Sequence, residues 1–126
     1  MNRQELIERL RALPFLPEDY WVVAGGAMVL HGLRDETGDI DLGCRRALAD
    51  CLESEGFPMR RTEDEKRKFA LGGDIEIFEE WLYDRVTEVE WIPVISLRGL
   101  LLMKETLGRD KDLADLALIR ARLENR

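Results

Sequence analysis

Two acids set two residues apart inside an apolar run, Asp39-Ile40-Asp41-Leu42, restrict this chain more than any other feature. In an extended strand side chains alternate, so both carboxylates fall on one face while Ile40 and Leu42 turn into a core. Asp is unfavourable in strands, and a pair of like charges needs compensation. A cation held between them is the simplest kind. Twelve residues separate this run from Gly25-Gly26, which closes the short β-rich stretch Tyr20-Trp21-Val22-Val23-Ala24 and precedes one or two helical turns at Ala27-Met28-Val29-Leu30-His31. Amides at such a helix start point outward unpaired, and without a Cβ at Gly25 and Gly26 a triphosphate can come close. Taken singly, the glycines fit a plain turn and the acids a solvated strand end. Their order and separation favour a phosphate-and-metal site.

The segment Gly25-Gly26 … Thr37-Gly38-Asp39-Ile40-Asp41-Leu42 resembles the signature of the DNA polymerase β-like nucleotidyltransferase superfamily. Within it, the chain is similar to the small stand-alone members grouped with the minimal antibiotic nucleotidyltransferases and the AbiEii-type toxins. A second stretch, Lys104 followed by Gly108-Arg109-Asp110-Lys111-Asp112-Leu113-Ala114-Asp115-Leu116, looks like their Arg-x-Lys-Asp-x-x-Asp segment. Many superfamily members have Gly-Ser where this chain has Gly25-Gly26, a departure that points to the toxin-like and aminoglycoside-type relatives. The resemblance implies an α+β minimal nucleotidyltransferase fold, a small mixed β-sheet with helices packed against it.

It also implies a reaction: transfer of a nucleoside monophosphate from a nucleoside triphosphate to an acceptor hydroxyl, releasing pyrophosphate. Asp39 and Asp41 are expected to bind two Mg²⁺ ions, with Mn²⁺ an alternative. A third acid is expected from Asp74-Ile75-Glu76-Ile77, where Asp74 and Glu76 share a face. Glu76, framed by two isoleucines, fits the family pattern better as metal ligand and general base, and Asp74 is the alternative. Gly25 and Gly26 amides would steady the pyrophosphate, with Lys111 the first candidate among the cations and Lys104 and Arg109 behind it. His31 and Arg34 follow the glycine helix and are candidates to flank the nucleotide. Asp112 and Asp115 also suit the first turn of a final helix. The other reading of the chain is a non-catalytic nucleotide- or partner-binding module of the same fold, a toxin-antitoxin or regulatory component.

The remaining pattern places elements around these motifs. Asn2 with Glu5 makes a capping box for a helix carrying Leu6, Leu10 and Leu13, ended by Pro14. Arg46 to Glu55 reads as a helix stopped by Gly56. Strands are expected at 57–61, 66–71, 74–78 and 86–91, with Gly72-Gly73 as a two-residue hairpin turn. Ser96 caps a helix toward Leu107, Gly108 ends it, and Asp110 caps a last helix with Leu113, Leu116, Ala117 and Leu123 facing inward.

With 126 residues, 45% apolar and 36% charged, the chain is expected to form one domain over 1–126. No apolar run is long enough to span a bilayer and Met1-Asn2-Arg3-Gln4-Glu5 opens a helix, so a cytoplasmic protein is expected. Cys44 and Cys51 read as reduced thiols, and a lone histidine, His31, leaves oxygen ligands for any metal. The net charge of −7 argues against a broad nucleic-acid surface. A small-molecule hydroxyl acceptor is therefore expected first, with tRNA or a protein as alternatives. The basic cluster Arg60-Arg61 and Lys66-Arg67-Lys68, interleaved with Glu63, Asp64 and Glu65, reads as a solvated loop and edge strand. So short a chain has little wall to enclose an acceptor, which favours a homodimer.

Overall fold

A computed structural model describes residues 1–125. Its elements are helix α1 (Arg3–Arg11), strand β1 (Tyr20–Val23), helix α2 (Ala24–Leu30), strand β2 (Ile40–Cys44), helix α3 (Arg46–Ser54), strands β3 (Met59–Arg61), β4 (Arg67–Gly72), β5 (Ile75–Glu79), β6 (Val86–Val89) and β7 (Ile92–Ile95), helix α4 (Leu97–Leu107), a 3₁₀ turn (Asp110–Asp112) and helix α5 (Leu113–Glu124). The strands form one mixed sheet in the order β3-β4-β5-β2-β1-β7-β6. This is the α+β architecture expected, a mixed sheet with helices on it.

The sheet is held by a row of cross-strand neighbours. Phe69 faces Ile77, Ile77 faces Leu42, Leu42 faces Val22, and Val22 faces Val94. None of the five is solvent exposed, and at about 1.5–3 kcal/mol for each large side chain removed from water the row is a principal source of stability. Leu6, Leu10 and Leu52 from α1 and α3 join the same core. The next row, Ala70, Glu76, Asp41 and Val23, carries the acids on the other face.

Local signals decide the ends of several elements. The Asn2–Glu5 capping box is present and α1 stops before Pro14. Gly56 follows α3 at φ +83°, and Ser96 Oγ accepts from the Gly99 amide at 3.0 Å to start α4, which Gly108 ends at φ +59°.

Four expectations need correction. The β4–β5 turn is Gly73-Asp74, both at positive φ as a two-residue turn of this hand demands, because the strand bulges between Ala70 and Gly72. Strand 86–91 ends at Val89, and Glu90-Trp91 turn the chain into β7, a buried strand that the sequence pattern hid behind Pro93. Asp110 does not cap the last helix; it opens the 3₁₀ turn, and α5 starts at Leu113 with no side-chain cap. On α5 Leu113 and Ala117 lie outside, while Asp115, Leu116 and Ile119 are buried.

The basic cluster also divides. Arg60 and Arg61 are exposed on the edge strand, but Arg67 is only 9% exposed. Its guanidinium binds Glu79 at 2.7 Å, Asp50 at 2.8 Å and Glu53 at 3.0 Å, tying β4 to β5 and α3. Cys44 is buried, its thiol pushed up to about 12 chiefly by desolvation, and Cys51 is exposed; both are free.

Hydrogen bonds from Arg67 hold the Glu79 carboxyl down to about 2. That stabilisation is complete above the ordinary glutamate range and is lost as pH falls toward 2. Arg67→Met leaves the buried Glu79 carboxylate with only the backbone amide of residue 67 as donor and no counter-charge, and is expected to cost about 3–5 kcal/mol in urea unfolding at pH 7. The deficit should shrink as the pH is lowered below 4.

Candidate active site

Val23 stands opposite Asp41, so β1 delivers its chain to the glycine bend directly beside the acidic strand. The backbone turns sharply there: Val23 is extended (φ −129°, ψ 178°) and Ala24 follows at φ +55°. A non-glycine residue in the left-handed region costs of order 1–3 kcal/mol, and such strain concentrates at working sites. No side chain caps α2. The glycines lie within its first turn, not before it. A Cβ on Gly26 would stand 2.9 Å from Val22 Cγ1, so this glycine allows α2 to press on β1. On half-buried Gly25 it would meet Thr37 Oγ1 at 2.6 Å and Arg34 Nη1 at 3.0 Å. Thr37 in turn donates to the Asp39 carbonyl at 3.2 Å, linking the bend to the acidic strand.

Ile40 and Leu42 are buried, Asp41 is half-buried and Asp39 is exposed, in line with the alternation of a strand. β5 runs parallel to β2 with Glu76 in register with Asp41. Neighbouring strands lie about 4.8 Å apart, so the two carboxylates start from adjacent backbones. Asp74, by contrast, sits in the turn at φ +66°, exposed, and its carbonyl accepts from the Ile40 amide at 2.9 Å. It does not continue the face that Glu76 occupies.

Burial foremost, then the charges of Asp39 and Glu76, push the Asp41 carboxyl up to about 6, against the opposing pull of Lys68 and Arg109. An all-carboxylate donor set under mutual repulsion has the chemistry that hard divalent cations such as Mg²⁺ or Mn²⁺ take. Glu76 is turned onto Lys68 at 3.2 Å, and among the described residues no three acidic, histidine or cysteine side chains are already gathered as a ligand set. The sequence reading places Lys68 in a solvated basic run; its spacing of two from Ala70 in an extended segment is the signal that puts it on the non-core face of β4.

The C-terminal cations divide by burial. Lys111 is exposed in the 3₁₀ turn and forms no ion pair among the described residues. Lys104 is 4% exposed and binds Asp112 and Asp115, each at 3.0 Å. Arg109 grips Asp112 at 2.7 Å and 3.1 Å, and Arg34 pairs with Asp115. The ammonium of Lys104 is thus spent inside the protein. His31 is tied by its ring to the Ile95 carbonyl at 2.8 Å, which gives it a structural place.

Phe78 shares its strand face with Glu76 and packs on Trp81 with ring centroids 4.6 Å apart. Together with Tyr83, Leu107 and Glu80 they line a cavity of about 490 Å³. A cavity of about 520 Å³ by Tyr20, Trp21, Arg45 and Arg46 lies at the other end of β1, away from the glycine bend.

Because folding raises the Asp41 carboxyl, its ionisation costs stability as pH rises through about 6, while below the ordinary aspartate range it is protonated in both states and costs nothing. In EDTA, Asp41→Asn is therefore expected to melt about 2–6 °C above the wild type at pH 8. The gap should close by about pH 4, as thermal melts across that range can read.

No protein-family model matches this sequence, and no curated protein sequence matches it at a significant level. Among solved structures, a candidate nucleotidyltransferase from Thermotoga maritima superposes with a TM-score of 0.55, covering 98% of this chain and 91% of that one at 21% identity. At this identity the likeness is one of fold: the chain has a nucleotidyltransferase fold.

Proposed function

We propose that this chain is a nucleotidyltransferase that moves a nucleoside monophosphate from a nucleoside triphosphate to an acceptor hydroxyl. The register of β2 with β5, which sets Asp41 beside Glu76 at the foot of the Gly25 bend, is the observation that carries the reading. The fold shared with the Thermotoga maritima candidate agrees with it.

In this reading the acceptor oxygen bonds to the α-phosphorus, the bond from that phosphorus to the bridging oxygen of the β-phosphate breaks, and pyrophosphate leaves. Asp39, Asp41 and Glu76 would hold magnesium or manganese, which supplies Lewis-acid activation of the hydroxyl and charge neutralisation on the phosphates. Glu76 accepts the hydroxyl proton, and Lys68, 3.2 Å from its carboxylate, holds it in place until then. The amides at Gly25 and Gly26, with Arg109 and exposed Lys111, offset charge on the departing pyrophosphate. Lys104 serves from within, holding Asp112 and through it Arg109. The aromatic cavity along β5 suits a small acceptor with an apolar face, and this favours a small molecule over tRNA or a protein. The Lys68–Glu76 pair favours one second reading, a nucleotide-binding module without catalysis in which that glutamate stays neutralised.

Radiolabelled triphosphates with Mg²⁺ or Mn²⁺, supplied against small hydroxyl compounds, tRNA and extract proteins, separate the two. Transfer of label and release of pyrophosphate, abolished by EDTA, are expected. Asp39→Asn, Asp41→Asn and Glu76→Gln should each lower the rate at least about a hundredfold with the fold intact, while Asp74→Asn should not. Metal-dependent triphosphate binding with no acceptor ever modified would establish the binding module instead.

A further inference from the structure

Side chains around α5 form a chain of five alternating charges: Arg34, Asp115, Lys104, Asp112, Arg109. The inner three are buried, with side chains 8%, 5% and 3% exposed, whereas the outer arginines are 37% and 42% exposed. Three cations against two carboxylates leave one surplus positive charge, and only the two ends can present it. One end is at the glycine bend. Arg34 Nη2 is engaged by Asp115, but Nη1 hangs where a Cβ on Gly25 would be 3.0 Å away, and it has no hydrogen-bond acceptor among the described residues. The other end is Arg109, whose charge acts on Asp41.

A guanidinium held through Nη2 and open at Nη1 is arranged to donate to an oxyanion, the charge-assisted hydrogen bond at which arginine excels. Burial of Lys104 between two aspartates adds rigidity: neither Asp112 nor Asp115 can swing without exposing an unpaired charge in the interior.

Resting on the nucleotidyltransferase reading, we propose that Arg34 binds the β- or γ-phosphate of the nucleoside triphosphate through its free edge above Gly25, and that the buried Asp115–Lys104–Asp112 chain positions Arg34 and Arg109 as a matched pair on the polyphosphate. Arg34 is a binding residue in this scheme. Asp115 and Lys104 are positioning residues that act through it.

The test uses calorimetric binding, in Mg²⁺, of non-hydrolysable α,β-imido nucleoside triphosphates and of the matching monophosphates to the full chain. Arg34→Lys keeps a cation for Asp115 yet loses the second edge, so it is expected to melt like the wild type and to bind the triphosphate about tenfold more weakly, with monophosphate affinity unchanged. Arg34→Gln should lose more, and Asp115→Asn should weaken the triphosphate in the same selective way. Wild-type triphosphate affinity in Arg34→Lys and Arg34→Gln overturns the proposal, as does equal loss of both ligands with a lowered Tm, the mark of a loop anchor. Asp41→Asn tells the two claims apart: if it loses Mg²⁺-dependent binding while the Arg34 variants bind normally, the nucleotidyltransferase reading stands without Arg34. If the wild type binds no triphosphate at all, both fall together.

Discussion

The apolar row Phe69–Ile77–Leu42–Val22–Val94 is the constraint from which the rest follows. Side chains alternate along a strand, so a slip of one residue in β2 would send Asp41 into the interior and bring Leu42 out. With all five side chains sealed from water, that alternative is closed. The acidic face is therefore held in place by residues that never touch it, and the site inherits the rigidity of the central sheet.

On that face the protein accepts electrostatic discomfort. Asp41, Asp39 and Glu76 repel one another, and Ala24 sits in an unfavourable backbone region beside them. Elsewhere the charges are matched: Arg67 lies among Glu79, Asp50 and Glu53, and Lys104 between two aspartates. Acids crowded on one sheet face, beside interior charges that are paired, fit the proposed role of that face in receiving a counter-charge from outside.

Period-two alternation made β2 and β5 legible, and capping chemistry marked α1 and α4, because in each case the signal and its structural partner lie within a few residues. The register of Asp41 with Glu76 could be anticipated only as an adjacency, since no local pattern says which strands pair. β7 carries no local strand signal because Ile92-Pro93-Val94-Ile95 has no alternation and contains a proline, though both its neighbours are in place to cover it. The inward face of α5 departs from the apolar stripe for a related reason. Hydropathy favours Leu113 and Ala117 for the interior, yet Asp115 is buried there since Lys104 awaits it from another helix. A long-range ion pair overrides a short-range apolar stripe, and nothing in either segment alone reveals it. Arg67 was likewise hidden within a run of basic residues that hydropathy reads as surface.

The ion-pair chain has a consequence for how the molecule is tied together. Arg34 belongs to the connection into β2, and its anchor Asp115 lies 81 positions further along the sequence. The C-terminal helix thus behaves as a keystone for a loop near the opposite end of the chain. Its grip joins the apolar packing of Leu116 and Ile119 to this buried ion-pair chain, so re-spacing of the α4–α5 junction would loosen a distant corner of the molecule while leaving the register of the sheet untouched.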